Sequence, residues 1–389
     1  MKEESTMSGY LRLYISFLFA VFVVVLPFPA SASWQPEITI GIMQGASSVQ
    51  FSTTGGTLYV YENPEKHPIF LLPQRKELDV RILQGKILAN GQEIKGDRLV
   101  IQPEPEKFIK VNGMPYRGYI TLLKRSGLTV VNNVLVEDYL YGVVPKEMPS
   151  SWSMEALRAQ SVAARTFALK NRKRHSTEGF DLCSTSHCQV YEGMSAETKL
   201  TTEAVNRTRG EVLFYKGTII DALFHTDSGG MTESSENVWG SSVPYLRAVN
   251  EVQSQTNPWS RKVSMDVVVK SFEKNGKRVG LLREVRLSRL NIGKGSGDRS
   301  LSGRVRSADF VGTKGHVLFS GNELRSMFSL PSTLFDVRLG KTGIVFSGYG
   351  SGHGLGLSQW GAKALADGRK SYKDILFHYY TGVTLEKLY

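Results

Sequence analysis

The chain has 389 residues, 41% of them hydrophobic, and carries 48 Lys and Arg against 36 Asp and Glu, a formal net charge of +12. That composition is ordinary for a globular protein, and the basic surplus suits an anionic partner such as cell wall, anionic lipid or nucleic acid. Nucleic acid ranks below wall polymer, because the charge is scattered, with only small clusters such as residues 170–174, and no nucleic-acid motif accompanies it.

The first element is an apolar run at 13–26, preceded by Lys2 and Arg12 and followed by Pro27, Pro29 and Ala30-Ser31-Ala32. This pattern predicts a cleavable export signal over 1–32, with the mature chain starting near Ser33 and working outside the cytoplasm. The run is shorter than the roughly 20 residues a membrane span needs; an uncleaved signal anchor is the alternative. The remainder is long enough for two or three packed units. From 38 to about 140, short β-prone runs (ITIGIM, TLYVY, YITLL, LTVVNNVLV) alternate with Gly, Asn and Pro clusters and predict a β-rich region.

Glu147 follows in VVPKEMP. Pro145 and Pro149 remove backbone donors and disfavour helix just before themselves, so Glu147 is expected on a stiff turn, a good place for a catalytic carboxylate. A helix starts after it, capped by Ser150, Ser151 or Ser153. Ala156, Ala159, Ala163 and Phe167 form its packing stripe, and Glu155 serves as a structural first-turn acid. It ends near the basic run 170–174. An irregular segment at 175–193 precedes a helix at about 196–207, strands near 211–214 and 219–225, and the loop TDSGGMTES. Residues 258–346 read as short strands and charged turns with a helix at 321–328. The glycine-rich GYGSGHGLGLSQWGA then leads into a helix closed by Gly368, and Ser371 caps a last helix up to Tyr380. Short strands and helices without a regular βαβ pattern predict the α+β class.

Three further segments carry candidate chemistry. In FHTDSGGMTESSENVW, Ser228, Thr232, Ser234 and Gly229-Gly230 would offer hydroxyls and exposed amides to a polyhydroxylated ligand, or form a plain polar turn. In GYGSGHGLGLSQWGA, glycine at alternate positions means close backbone approach, to a ligand or to another segment, and lacks the spacing of a dinucleotide loop. His353 there is either a ligand-binding or acid-base residue, or a core histidine orienting a turn. In HSTEGFDLCSTSHC, both cysteines of the chain and two histidines fall close together: His175, Cys183, His187 and Cys188 suit a tetrahedral zinc, whereas the exported setting favours a Cys183–Cys188 disulfide. No organic cofactor is expected.

These segments resemble the SpoIID/LytB family, the relatives of stage II sporulation protein D, over nearly the whole mature chain. The matching motifs are VVPKEMP with EALRAQSVAARTFA, QVYEG at 189–193, FHTDSGGMTE with PYLRAV, SGNELRSMFSLPSTLF, and GSGHGLGLSQWGAKALADG with ILFHYYTGV. The resemblance implies a lytic transglycosylase that cleaves peptidoglycan between N-acetylmuramic acid and N-acetylglucosamine, on strands already freed of stem peptides by a partner amidase. It implies that Glu147 is catalytic, and that Arg158, Gln160, Arg165, Gln189, Ser228, His353, Ser358 and Gln359 are cleft residues. Arg158 and Arg165, seven apart on one helix face, would meet a lactyl carboxylate or hold an acid in place. Some clostridial members are similar in holding a structural zinc through two cysteines and two histidines of this segment. The LytB branch implies a different function, a non-catalytic enhancer of a wall amidase. The expected organisation is an export signal at 1–32, a β-rich region at 33–115, and a SpoIID-like catalytic region at 116–389 with 258–346 inserted as a mixed subdomain.

Overall fold

The computed structural model describes residues 34–62, 67–251 and 257–389. The export signal read into 1–32 lies outside the described residues. Within them, no helix is long and apolar enough to cross a membrane. The α+β expectation holds: several sheets and eight α-helices occur among the described residues.

Period-two burial makes the first part β. In the strand Arg98–Pro103, exposed positions alternate with sealed Leu99 and Ile101, as in a sheet with one face on a core. Strands Glu37–Ala46, Leu128–Leu135, Tyr119–Lys124, Arg98–Pro103, Leu58–Glu62 and Phe70–Leu72 pair in that order, and Leu182–Cys183 adds in parallel beyond Glu37–Ala46. A six-stranded sheet that includes Ser48–Thr53 and Leu78–Leu83 shares its core, where Phe51, Val60, Val80, Ile101 and Ile120 meet. Leu128–Leu135 is buried on both faces. Its Leu128 and Val130 join this core, whereas Val131 and Val134 join the next, where the helices begin.

Helix α1 (Val136–Glu147) leaves that strand directly, and α2 (Met154–Lys170) follows. The expected proline-flanked turn is corrected here: Glu147 is the last residue of α1, and Pro145 lies inside its final turn. A proline so near the end deprives only the Tyr141 carbonyl of a helical donor. The buried face of Val136, Tyr139, Leu140, Val143 and Val144 holds the helix against that loss. Ser153 precedes α2 but makes no side-chain cap bond. Glu155 instead accepts from Arg158 at 2.9 Å and from the Tyr372 amide at 2.7 Å.

Helix α2 is buried on most of its surface, as befits a helix in the middle of a fold. Ala156, Ala159 and Ala163 pack with Leu213, Leu357, Ala362 and Leu376, while Ala164 and Ala168 pack with the α1 face. Around it lie α3 (Lys199–Arg207), α7 (Gln359–Asp367) and α8 (Tyr372–Tyr379), with the short α4 (Ser235–Trp239) further along the chain. Ser358 caps α7, and Ser371 forms a capping box with Asp374 at α8.

Residues 258–349 build their own core from two three-stranded sheets, α5 (Met265–Lys274) and α6 (Gly321–Phe328). The rings of Phe272, Phe310 and Phe319 meet at 4.5 to 5.8 Å, each pair stabilising by about 0.5–1.5 kcal/mol beyond area burial. Polar ties bind this part to the 224–239 loop, among them Arg304 to the Ser228 carbonyl at 2.8 Å, the Ser302 hydroxyl to Glu233 at 2.7 Å and Arg306 to Asn237 at 2.8 Å. Asn322 of α6 itself donates to the Val238 carbonyl at 3.3 Å.

Candidate active site

Glu147 stands on the wall of a cleft of about 480 Å³, within the roughly 300–1,000 Å³ of small-molecule sites. Phe167 of α2, Val190, Phe224, His225, Thr226, Trp239, Arg325 of α6, His353 and Gln359 share it. Apolar side chains line the same cleft, where Phe167 and Phe224 meet edge to face at 6.3 Å, and Met148, next in sequence to Glu147, is fully buried. Burial therefore raises the pKa of Glu147, while hydrogen bonds from the Gln359 side chain and the Val190 backbone partly oppose the shift. Gln359 Nε2 lies 3.3 Å from Glu147 Oε2. Lys146, next in sequence, turns instead to Glu192 at 3.0 Å.

The 224–239 loop and the glycine segment meet at this wall. Phe224–His225 pairs in parallel with Leu357–Ser358, and Asp227 bridges Ser351. The glycines serve another segment's approach: a Cβ on Gly352 would fall 2.6 Å from the His225 Cβ, and one on Gly354 would fall 2.6 Å from Arg304. Both have positive φ. His353 accepts the Leu355 amide at Nδ1 at 3.0 Å, and its ring lies 5.4 Å from that of His225. Burial, then Arg325 and Arg304, push its pKa down to about 4. His225 donates from Nδ1 to the Leu355 carbonyl at 3.0 Å, and its pKa is pushed well down, by burial first and then by the neighbouring His353 and Arg304.

The other expected cleft residues lie elsewhere. Arg165 is fully buried and bonds Glu137 in a fork at 2.8 and 2.7 Å, with the Val205 and Glu211 carbonyls at 3.2 Å. It holds an acid, but that acid is Glu137. Arg158 stacks over the Tyr372 ring at 3.8 Å. Gln189 is sealed between the Tyr139 hydroxyl at 3.1 Å and the Ala164 carbonyl at 3.3 Å. Gln160 is fully buried in α2 with both amide atoms lacking a protein partner. Ser228 and Ser358 are buried and bond one another's turn, the Ser228 amide donating to Ser358 Oγ at 3.3 Å. Thus Glu147, His353 and Gln359 share the cleft. Sequence reasoning missed His225, Arg325 and Trp239. His225 and Trp239 were visible inside the 224–239 motif, but nothing in the sequence marks Arg325.

At one end of the cleft, His187 and Cys188 belong to a four-residue cluster. The ligand atoms of His175, Cys183, His187 and Cys188 all lie within 4.8 Å of one another, and both thiols are free. Cys188 Sγ is 3.4 Å from His175 Nε2 and 3.7 Å from His187 Nδ1, and Cys183 Sγ is 3.6 Å from His187 Nδ1. A tetrahedral ion with bonds of about 2.3 Å to sulfur and about 2.0 Å to nitrogen needs sulfur–nitrogen edges of about 3.5 Å. His175 Nδ1 donates to Glu178 at 2.7 Å, which fixes the tautomer that leaves Nε2 free to ligate. The cluster sits where it does because Leu182–Cys183 joins the edge of the large sheet. This donor set could hold a metal ion.

An α+β scaffold that sets a lone, partly buried acid against a glycine-built wall defines a single-carboxylate cleft protein. A family model described as stage II sporulation protein matches residues 124–215, and one described as a domain of unknown function (DUF8618) matches 241–356. The chain is 32% identical over 280 residues to stage II sporulation protein D of Bacillus subtilis, covering 68% of this chain and 78% of that one. It is 34% identical over 318 residues to an uncharacterized protein of Brachyspira hyodysenteriae, covering 79% and 82%. It is also 32% identical over 364 residues to the amidase enhancer of Bacillus subtilis, covering 81% of this chain and 51% of that protein. The chain belongs to the stage II sporulation protein D family.

Proposed function

We propose that the chain is an exported peptidoglycan lytic transglycosylase. It cleaves the N-acetylmuramic acid to N-acetylglucosamine linkage, on strands freed of stem peptides, and leaves 1,6-anhydro-muramic ends. One observation carries this reading: Glu147 is the only carboxylate among the described residues that line the cleft. Most glycosidases need two carboxyl groups, one for each face of the sugar. A single acid suffices when the nucleophile is the sugar's own 6-hydroxyl.

Glu147 acts twice. Protonated, it gives its proton to the glycosidic oxygen as the C1–O bond breaks and N-acetylglucosamine leaves. Ionised, it takes the proton of the muramic 6-hydroxyl as O6 bonds to C1, which closes the anhydro ring and restores the acid. Its raised pKa favours the acid form at the start. Gln359 holds the carboxylate in place, and the apolar rings limit water, which would otherwise compete with O6. Digestion of peptide-free glycan strands followed by mass spectrometry tests this: ends one water lighter than hydrolysed ends support it, and hydrolysed ends alone overturn it.

We assign zinc to His175, Cys183, His187 and Cys188, because thiolate with imidazole is a zinc donor set; the alternative is a Cys183–Cys188 disulfide. With protein at all four positions, the ion would supply cross-linking of the cleft wall and no step of the reaction. A second reading has its own support, since the amidase enhancer aligns over most of this chain. The protein would then bind peptidoglycan beside a wall amidase and cut nothing, and the same digestion would yield no new ends. Export is supported by the 13–26 run, with the protein secreted to the wall or held at the membrane by an uncleaved signal.

A further inference from the structure

We propose that the Arg325 guanidinium reads a carboxylate in the cleft, the free lactyl group of a peptide-free muramic acid residue. This rests on the glycan-binding part of the reading above and names the substrate feature that the cleft selects.

Ser320 and Glu323 form a capping box that fixes the start of α6, and Leu324 and Phe328 anchor the helix in the 258–349 core. Arg325 then faces the cleft. Arg117, Arg158, Arg165 and Arg299 each lie within 2.9 Å of a carboxylate oxygen. Arg325 differs: it is half-buried, burial lowers its pKa with no acid among the causes, and its charge works against the buried Arg304. A partly desolvated cation without a counter-ion is destabilising. An incoming carboxylate offsets that cost through two parallel charge-assisted hydrogen bonds, which a planar guanidinium forms better than any other side chain.

The cleft's other arginine, Arg174, is exposed and acts on the Cys188 thiol, so Arg325 is the desolvated one of the two. His225 and His353 are both neutral, and their Nδ1 atoms are engaged by the Leu355 backbone. Arg325 and Glu147 line the same cleft, and neither is among the causes that shift the other's pKa. On a glycan strand, hydroxyl and N-acetyl groups are neutral. The only backbone acid is the lactyl ether on muramic acid, and it is free only when no stem peptide consumes it as an amide. The same wall would thus favour peptide-free strands.

The test uses Glu147→Gln, in which the strand stays intact, and calorimetric titration with three ligands. These are peptide-free glycan oligomers, the same oligomers with lactyl carboxylates converted to methylamides, and peptide-bearing oligomers. The peptide-free form should bind roughly tenfold or more tightly than its methylamide, the effect of a hydrogen bond to a charged group. Adding Arg325→Met should erase that preference and leave methylamide binding within about twofold. If Arg325→Met does not fold, as judged by melting, Arg325→Gln carries the same comparison. A preference that survives loss of the guanidinium, or an equal fall for both ligands, overturns the proposal. So does tightest, Arg325-dependent binding of peptide-bearing oligomers, which would make a stem carboxylate the anion. If the unmutated protein yields no anhydro ends while the Arg325-dependent preference stands, glycan cleavage fails and the carboxylate site survives.

Discussion

Gln359 Nε2 lies 3.3 Å from Glu147 Oε2, joining the first residue of α7 to the last of α1 across 212 positions of sequence. Because that bond suits an amide as well as a carboxylate, Glu147→Gln should fold normally. Its production of anhydro ends should fall by about a hundredfold to ten-thousandfold, the usual contribution of a positioned acid-base group. Wild-type turnover by a correctly folded Glu147→Gln protein would remove Glu147 from the chemistry.

The Gln359 hydrogen bond favours the ionised carboxylate and so opposes the rise that burial imposes on Glu147. Gln359→Leu should therefore raise the pKa of Glu147 further. The acid form would persist to higher pH, and the alkaline limb of the pH–rate profile should move upward, alongside a lower maximal rate from lost positioning. A limb that stays put or moves downward contradicts the assigned role.

Stability gives an independent readout of the same acid. The folded pKa of Glu147 lies above the ordinary glutamate value of 4.5, so the folded state binds the proton more tightly than the unfolded chain. Its contribution is fully present below 4.5 and is lost as pH rises through the raised value. Glu147→Gln, which never ionises, should match the parent's melting temperature at about pH 4 and exceed it increasingly toward neutral pH. A constant difference across that range would mean that the carboxyl is not perturbed.

Arg165 and Glu137 test scaffold against substrate contact. Both are sealed from solvent, and other groups help satisfy the pair: Tyr389 and the Gly210 amide at Glu137, and the Val205 and Glu211 carbonyls at Arg165. Removing one partner strands the other charge, so Arg165→Met should cost about 3–5 kcal/mol in denaturant unfolding. The fraction that remains folded should keep the parental KM. A raised KM with unchanged stability would restore Arg165 to the binding site.

What could be read from the sequence followed from how local each cause was. Helix α6 appears at the expected 321–328 because its capping box is a four-residue signal. The strands of the first region appear because alternation is local too. Glu147 at a helix end was not readable, since Pro145 argues against helix and only the tertiary burial of Val136, Tyr139 and Val143 overrules it. Within the site, glycine density pointed to His353 and Gln359. Arg325 stayed hidden because an arginine on an amphipathic helix reads as solvated surface until the helix is placed against another segment.

The four-ligand cluster makes the last prediction. Its thiols are free, its sulfur–nitrogen edges match those of a tetrahedral site, and Glu178 orients His175. Protein purified without chelator should carry about one zinc per chain, measured by elemental analysis, and should release two titratable thiols once the ion is stripped. Cys188→Ser should lose the ion and melt earlier, because binding free energy at such a site is folding free energy. Its glycan cleavage should fall less than that of Glu147→Gln, since an ion with protein at all four positions would brace the wall without touching the reacting atoms. Metal-free native protein whose thiols titrate only after reduction would replace the ion with a Cys183–Cys188 disulfide.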